Sequence, residues 1–217
     1  MKKNLYGQLE LLSHEMIIMG TLCENAIAGA TKALLQGNAQ CAAETIEENN
    51  TINEKEREIE ALCLRLLLQQ PVACDLRAIT SALKMITDLS RIGNQATDIT
   101  ETLLMQEKLT PVTIAYFAEM SEATIKMVTD AIDAYAKKDF VLATEVVAYD
   151  DIVDDYFVKT KNNIAELFKE AQTEAESNRA LDLLMIAKYY ERIGDHAVNI
   201  GQWVEYSATG CRGEAIT

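Results

Sequence analysis

The carboxylates in the second half of the chain have the spacing of a cation site. Glu191 and Asp195 stand four residues apart in Glu-Arg-Ile-Gly-Asp-His, so one helical turn stacks them on a single face. Asn199 extends that face by a further turn. An earlier segment, Asp150-Asp151-Ile152-Val153-Asp154-Asp155, supplies two more such pairs, Asp150 with Asp154 and Asp151 with Asp155. Like charges one turn apart repel by a few tenths of a kcal/mol. Acidic pairs on two neighbouring helices repel more unless something positive lies between them. A multivalent cation answers that need, and so would Arg or Lys. With neither, the same residues form a solvated acidic face. Oxygen donors with no thiol pattern nearby suit hard or borderline ions, divalent or trivalent: Mg, Mn, Fe or Zn. His196 points about 100° round the helix from Asp195 and reads as a supporting group rather than a ligand. His14 lies between apolar positions and reads as inert.

Long helices must position these groups. Leu5, Leu9, Leu12, Met16, Met19, Cys23, Ala26, Ala30 and Ala33 are spaced alternately by four and three residues, a heptad seam on one long helix. Asn4 is its expected cap, and Gly37-Asn38 its stop. A second helix is predicted over about 39–70, with Ile52, Ile59, Leu62, Cys63 and Leu66 inward, before Pro71 interrupts. A third follows over about 75–107. Thr110-Pro111 is expected to cap and open a fourth, over about 111–137. The fifth and sixth are predicted over about 139–171 and 176–208.

The second half repeats the first. Arg91-Ile92-Gly93 recurs as Arg192-Ile193-Gly194, 101 residues on. The same offset pairs Asn38 with Asp139, Glu44 with Glu145, Ile52 with Val153 and Ile99 with Ile200. One offset holding across two helices indicates duplication. The expected architecture is all-α: two tandem antiparallel three-helix bundles, residues 1–108 and 109–217. A glycine recurring inside a helix, at Gly93 and Gly194, suggests close approach of a neighbouring helix.

The duplication also shows where the chemistry differs. Ser90 and Asn94 stand where the second half has Glu191 and Asp195, and Asn49, Asn50 and Asn53 stand for Asp150, Asp151 and Asp154. Glu54, Asp98 and Glu101 leave some negative charge. The first-half site, Asn50, Glu54, Ser90, Asn94 and Asp98, is therefore degraded, and weak metal affinity is expected there.

Composition sets the class. With 9 Gly, 2 Pro and 6% aromatics in 217 residues, the chain reads as helical rather than β-rich. A net charge of −14 repels phosphate backbones and anionic lipid, which argues against nucleic acid and favours cations or basic protein surfaces. Acidity also serves solubility alone. Cys23, Cys41, Cys63, Cys74 and Cys211 show no metal or redox spacing, so disulfides are not expected. No apolar run is long enough for a signal sequence or a membrane span, and a cytoplasmic chain is expected.

Two segments resemble signatures of the PhoU family. Gln69-Gln70-Pro71-Val72-Ala73-Cys74-Asp75-Leu76-Arg77, with Leu83-Lys84 and Asp88-Leu89-Ser90-Arg91-Ile92-Gly93, is similar to the first. Glu191 through Ile200 is similar to the second. The resemblance covers essentially the whole chain. It implies tandem three-helix bundles whose E/D-x-x-x-D motifs hold multinuclear metal clusters. The motif carries over onto Asp151 with Asp155 and Glu191 with Asp195. It further implies an accessory regulator of high-affinity phosphate uptake, coupling a phosphate ABC transporter to a membrane sensor kinase. The partners so implied are the transporter's nucleotide-binding subunit and that kinase. The chain is expected to associate peripherally with these inner-membrane partners, as a homo-oligomer, a dimer.

No catalytic set accompanies these motifs. Carboxylate-bridged metal oxidases in helical bundles use Glu-x-x-His, but Leu11 and Ile193 stand three residues before His14 and His196. Nor is there a nucleophile–base set or a Gly-rich phosphate loop. A non-enzymatic adaptor is expected, with a metal buffer or an accessory protein of another anion transporter as the alternative.

Overall fold

The seam of the first segment forms one helix, α1, Lys2–Gln36, in a computed structural model that describes residues 2–106, 111–112 and 116–210. Leu12, Met16, Met19, Cys23, Ala26, Ala30 and Ala33 are buried along it, and Leu5 and Leu9 pack at its margin. Helix α1 begins at Lys2, so Asn4 lies inside it and is not its cap. Once nucleated, a helix gains a backbone hydrogen bond for each residue added, which carries it past a usable cap.

Helix α2, Ala39–Leu67, starts as expected: Asn38 Oδ1 accepts from the amides of Gln40 and Cys41, at 3.0 and 3.3 Å. It ends three residues short of the expected Gln70, which has φ +54°. The residue before a proline is pushed out of helical geometry, and Gln70 precedes Pro71. Helices α3, Ala73–Leu104, α5, Phe140–Glu170, and α6, Glu174–Thr209, lie close to their predicted spans. Asp139 caps α5 as Asn38 caps α2. Thr173 and Glu176 form a reciprocal capping box at α6.

Helix α4, Phe117–Lys137, starts six residues later than the Pro111 expected from the sequence. Thr110 lies outside the described residues. Pro111 and Val112 are described and are not helical. The Val112 amide donates to the Leu34 carbonyl at 3.1 Å and its side chain is buried, which ties this stretch to the end of α1.

Helices α1–α3 form one bundle and α4–α6 another. They are joined along α1–α4 and α3–α6, and one continuous core runs through both. A polar knot pins the junction: Thr31 Oγ1 donates to Ser121 Oγ and shares a hydrogen bond with Tyr190 OH, both at 2.7 Å. Cys23, Cys41 and Cys63 are buried, and Cys74 is exposed. Burial pushes the Cys63 thiol up to about 12, so it packs as a small apolar group. Cys211 lies outside the described residues.

Candidate metal centre

The acidic centre starts from a break in the seam of α5. Its buried residues Ala143, Val146, Val153, Thr160 and Ile164 keep seam spacing, and Asp150 fills the place between Val146 and Val153. A carboxylate facing a partner helix needs room and compensation. Gly194 on α6 gives the room: a Cβ there would lie 3.0 Å from Asp150 Oδ1. Gly93 does the same for the first repeat, where a Cβ would lie 2.6 Å from Asn49 Oδ1. The recurring glycine therefore marks the place where a polar side chain of the preceding helix seats against the next.

In the first repeat the seat is neutral and closed. Asn49 Nδ2 donates to Asn94 Oδ1 at 2.9 Å, and Ser90 Oγ donates to Asn53 Oδ1 at 3.0 Å. One repeat later these four places are Asp150, Asp195, Glu191 and Asp154. Two hydrogen-bonded rungs have become four carboxylates.

The electrostatics follow. The Asp150 carboxyl is raised from 3.8 to about 6, first by burial and then by Asp154, Asp195, Glu191 and Asp151. Glu191 is held on one side only: Lys188 Nζ takes Oε1, while Oε2 is buried with no hydrogen-bond partner. A buried carboxylate oxygen left bare is an unmet requirement for a positive partner. Oxygen donors from two helices, one of them orphaned and one protonating with unusual ease, are of the type that hard or borderline cations take, and Asp150, Asp154, Glu191 and Asp195 are the residues that could supply them.

Other expected site residues sit elsewhere. Asp151, Asp154 and Asp155 are exposed, and of the four α5 carboxylates only Asp150 is part-buried, against Gly194 of α6. Asn199 Nδ2 donates across to α3, to Asp88 Oδ1 at 3.5 Å. In the first repeat, Ser90 is buried and Asn50, Glu54 and Asn94 are exposed. Asp98 is half-buried; burial raises its carboxyl, Glu101 adds to the rise, and Arg192 opposes it. Among the described residues, no three His, Cys, Asp or Glu side chains close on one point, whether Asp151 and Asp155 or Asp150 and Asp154 are taken with Glu191 and Asp195.

One residue was missed. Asp88 is 6% exposed on α3 and accepts from His196 Nδ1, whose separation is 3.0 Å, as well as from Asn199. Its sequence signal was an acid on an inward stripe, between Met85 and Leu89. The partner 108 residues away left no local trace.

A family model described as PhoU domain matches residues 16–103 and again residues 117–204. The phosphate-specific transport system accessory protein PhoU homolog of Pseudomonas putida is 34% identical over 208 residues, which cover 94% of this chain and 80% of that one. The protein of the same description from Clostridium acetobutylicum is 32% identical over 213 residues, 96% of each chain. Among solved structures, PhoU from Pseudomonas aeruginosa superposes with a TM-score of 0.85 at 31% identity, over 95% of this chain and 99% of that one. The phosphate transport system regulatory protein PhoU from Streptococcus pneumoniae shares the fold, with a TM-score of 0.87 at 24% identity, over 97% of this chain and all of that one.

Proposed function

The chain belongs to the PhoU family, and from that premise we propose that it is a non-enzymatic regulator of phosphate uptake. The reading rests on the family match across both repeats and almost the whole chain. The relatives quoted above are named as accessory or regulatory proteins of phosphate transport. In this reading the protein couples the nucleotide-binding subunit of a phosphate ABC transporter to a membrane sensor kinase. Among the described residues no helix is long and apolar enough to cross a membrane, so action at such a system means docking on its components. With a net charge of −14, basic patches are the natural docking partners, and such encounters weaken as salt rises.

The acidic centre of the second repeat is the regulatory element of this reading. The observation that supports it is the bare Oε2 of Glu191 beside the raised carboxyl of Asp150. A bound Mg, Mn, Fe or Zn ion would neutralise these carboxylates and tie α5 to α6. Asp150 and Asp154 would contribute from α5, Glu191 and Asp195 from α6. Lys188 holds Glu191 in place from the same helix.

Deletion of the gene tests the proposal. Phosphate-starvation genes should then stay on in phosphate-rich medium, and pull-downs from the intact strain should recover the transporter subunit and the kinase. Normal repression in the deletion strain, with neither partner recovered, would overturn the adaptor reading in favour of a metal buffer or an accessory protein of another anion transporter.

A further inference from the structure

Where α3 packs on α6, a cleft of about 620 Å³ opens beside the acidic centre, lined in part by Arg91, Gln95, Arg192, Asp195 and His196. Arg91 and Arg192 are the same position of the duplicated unit, 101 residues apart, so packing the two repeats brings one guanidinium twice to one cleft. Both side chains belong to exposed residues, and among the described residues neither makes a salt bridge. The chain carries 34 acidic against 20 basic residues, yet here two guanidinium groups line one cleft with no ion pair to a carboxylate, Arg192 acting on Asp98 only through space.

We propose that this cleft binds a small tetrahedral oxyanion, namely orthophosphate as it exists near neutral pH. Each guanidinium presents a planar fork of N–H donors matched to two oxygens of such an ion. Two forks on neighbouring helices can grip it from two sides. The floor is fixed: Asp88 holds His196 at 3.0 Å, and the Gln95 side chain is partly buried with its Oε1 unpartnered. Asp195 supplies selectivity. Its carboxylate repels a fully ionised anion but accepts a hydrogen bond from a protonated one. Hydrogen phosphate has that proton to donate and sulfate does not. An anionic lipid surface would set many negative charges against a chain of net charge −14 where the free ion sets only its own, so the ligand is the free ion.

The inference deepens the regulatory reading by naming a small ligand, and it rests on that reading only in choosing phosphate over other oxyanions. Calorimetric titration of the full chelator-treated chain with inorganic phosphate tests it. Saturable binding is expected, weakened about tenfold by Arg91→Gln or Arg192→Gln, the scale of one lost charge-assisted hydrogen bond. Arg→Lys at each position should lose part of that, since it keeps the charge but not the fork, and it serves as the probe should the Gln variants melt early. Sulfate should bind at least about tenfold more weakly. Absence of saturable phosphate binding, equal binding of sulfate, or undiminished binding by the double Arg→Gln variant would each overturn the site. Arginine-dependent sedimentation with phosphatidic acid vesicles, without binding of the free ion, would overturn the free-ion assignment. A chain that binds no phosphate but whose deletion still derepresses the starvation genes keeps the regulatory role and loses only this site.

Discussion

Asn49 and Asp150 occupy equivalent seats in the two repeats, each with its Oδ1 set against a helix glycine, at 2.6 Å from the Cβ position of Gly93 and 3.0 Å from that of Gly194. The Asn49 amide donates across the gap to Asn94 at 2.9 Å. Asp150 has no proton to donate when ionised, and the residue at Asn94's place is Asp195. The duplicated scaffold thus sets a neutral rung, hydrogen-bonded through the Asn49 amide though its Oδ1 has no partner, beside a charged acidic one.

Cations should bind the second repeat and stabilise the fold. A ligand that binds only the native state adds about 2.7 kcal/mol at a hundredfold excess over Kd. Melting temperature should therefore rise with added Mn, Fe or Zn and fall back on chelation. Glu191→Ala with Asp195→Ala, or Asp150→Asn with Asp154→Asn, should abolish tight binding in calorimetry, whereas Asp151→Asn with Asp155→Asn should leave most of it. The opposite ranking would return the site to Asp151 and Asp155.

The Asp150 carboxyl predicts a pH dependence. It is raised in the fold from 3.8 to about 6, so the native state holds this proton more tightly than the unfolded chain. Stability from this group is full below pH 3.8, is lost progressively as pH rises through about 6, and stays lost above. Asp150→Asn, melted in chelator, should stabilise the protein most above pH 6, and the gain should shrink towards pH 4. A gain independent of pH would show that the charge of Asp150 is not what the fold resists.

Acidifying the first repeat should reproduce both properties. Asn49→Asp, Asn53→Asp, Ser90→Glu and Asn94→Asp together copy the four carboxylates onto equivalent seats. They also remove the Asn49–Asn94 and Ser90–Asn53 hydrogen bonds. The variant should be less stable in chelator and should bind additional metal. Unchanged stoichiometry in a folded variant would mean that the seats are not equivalent.

Asp88 should act as a clasp between the repeats. Asp88→Ala strips an acceptor from His196 and Asn199 at a buried position, at a cost of about 1–3 kcal/mol in urea unfolding. Asp88→Asn keeps an acceptor oxygen and should lose less. Equal stability of the alanine variant and the native protein would deny the clasp.

Much of this was legible in the sequence. The seam of α1, the caps at Asn38 and Asp139, the 101-residue duplication and the neutral replacements in the first repeat all came from spacing along the chain. Periodicity and capping act over one to a few turns, so they are written locally. The azimuth of one helix against another is not. Asp150 with Asp154 and Asp151 with Asp155 satisfy the same i, i+4 rule, and only the packing of α5 on α6 at Val153 and Gly194 decided that Asp150 is the carboxylate seated there. A clue lay in the seam itself, since Asp150 falls on the spacing that buries Ala143, Val146 and Val153. The Asp88–His196 contact, the bare Oε2 of Glu191 and the meeting of Arg91 with Arg192 at one cleft had no such clue. They arise where α6 packs on α3 and α5, elements whose partners the local sequence does not specify, and burial there determines which polar atoms keep a partner.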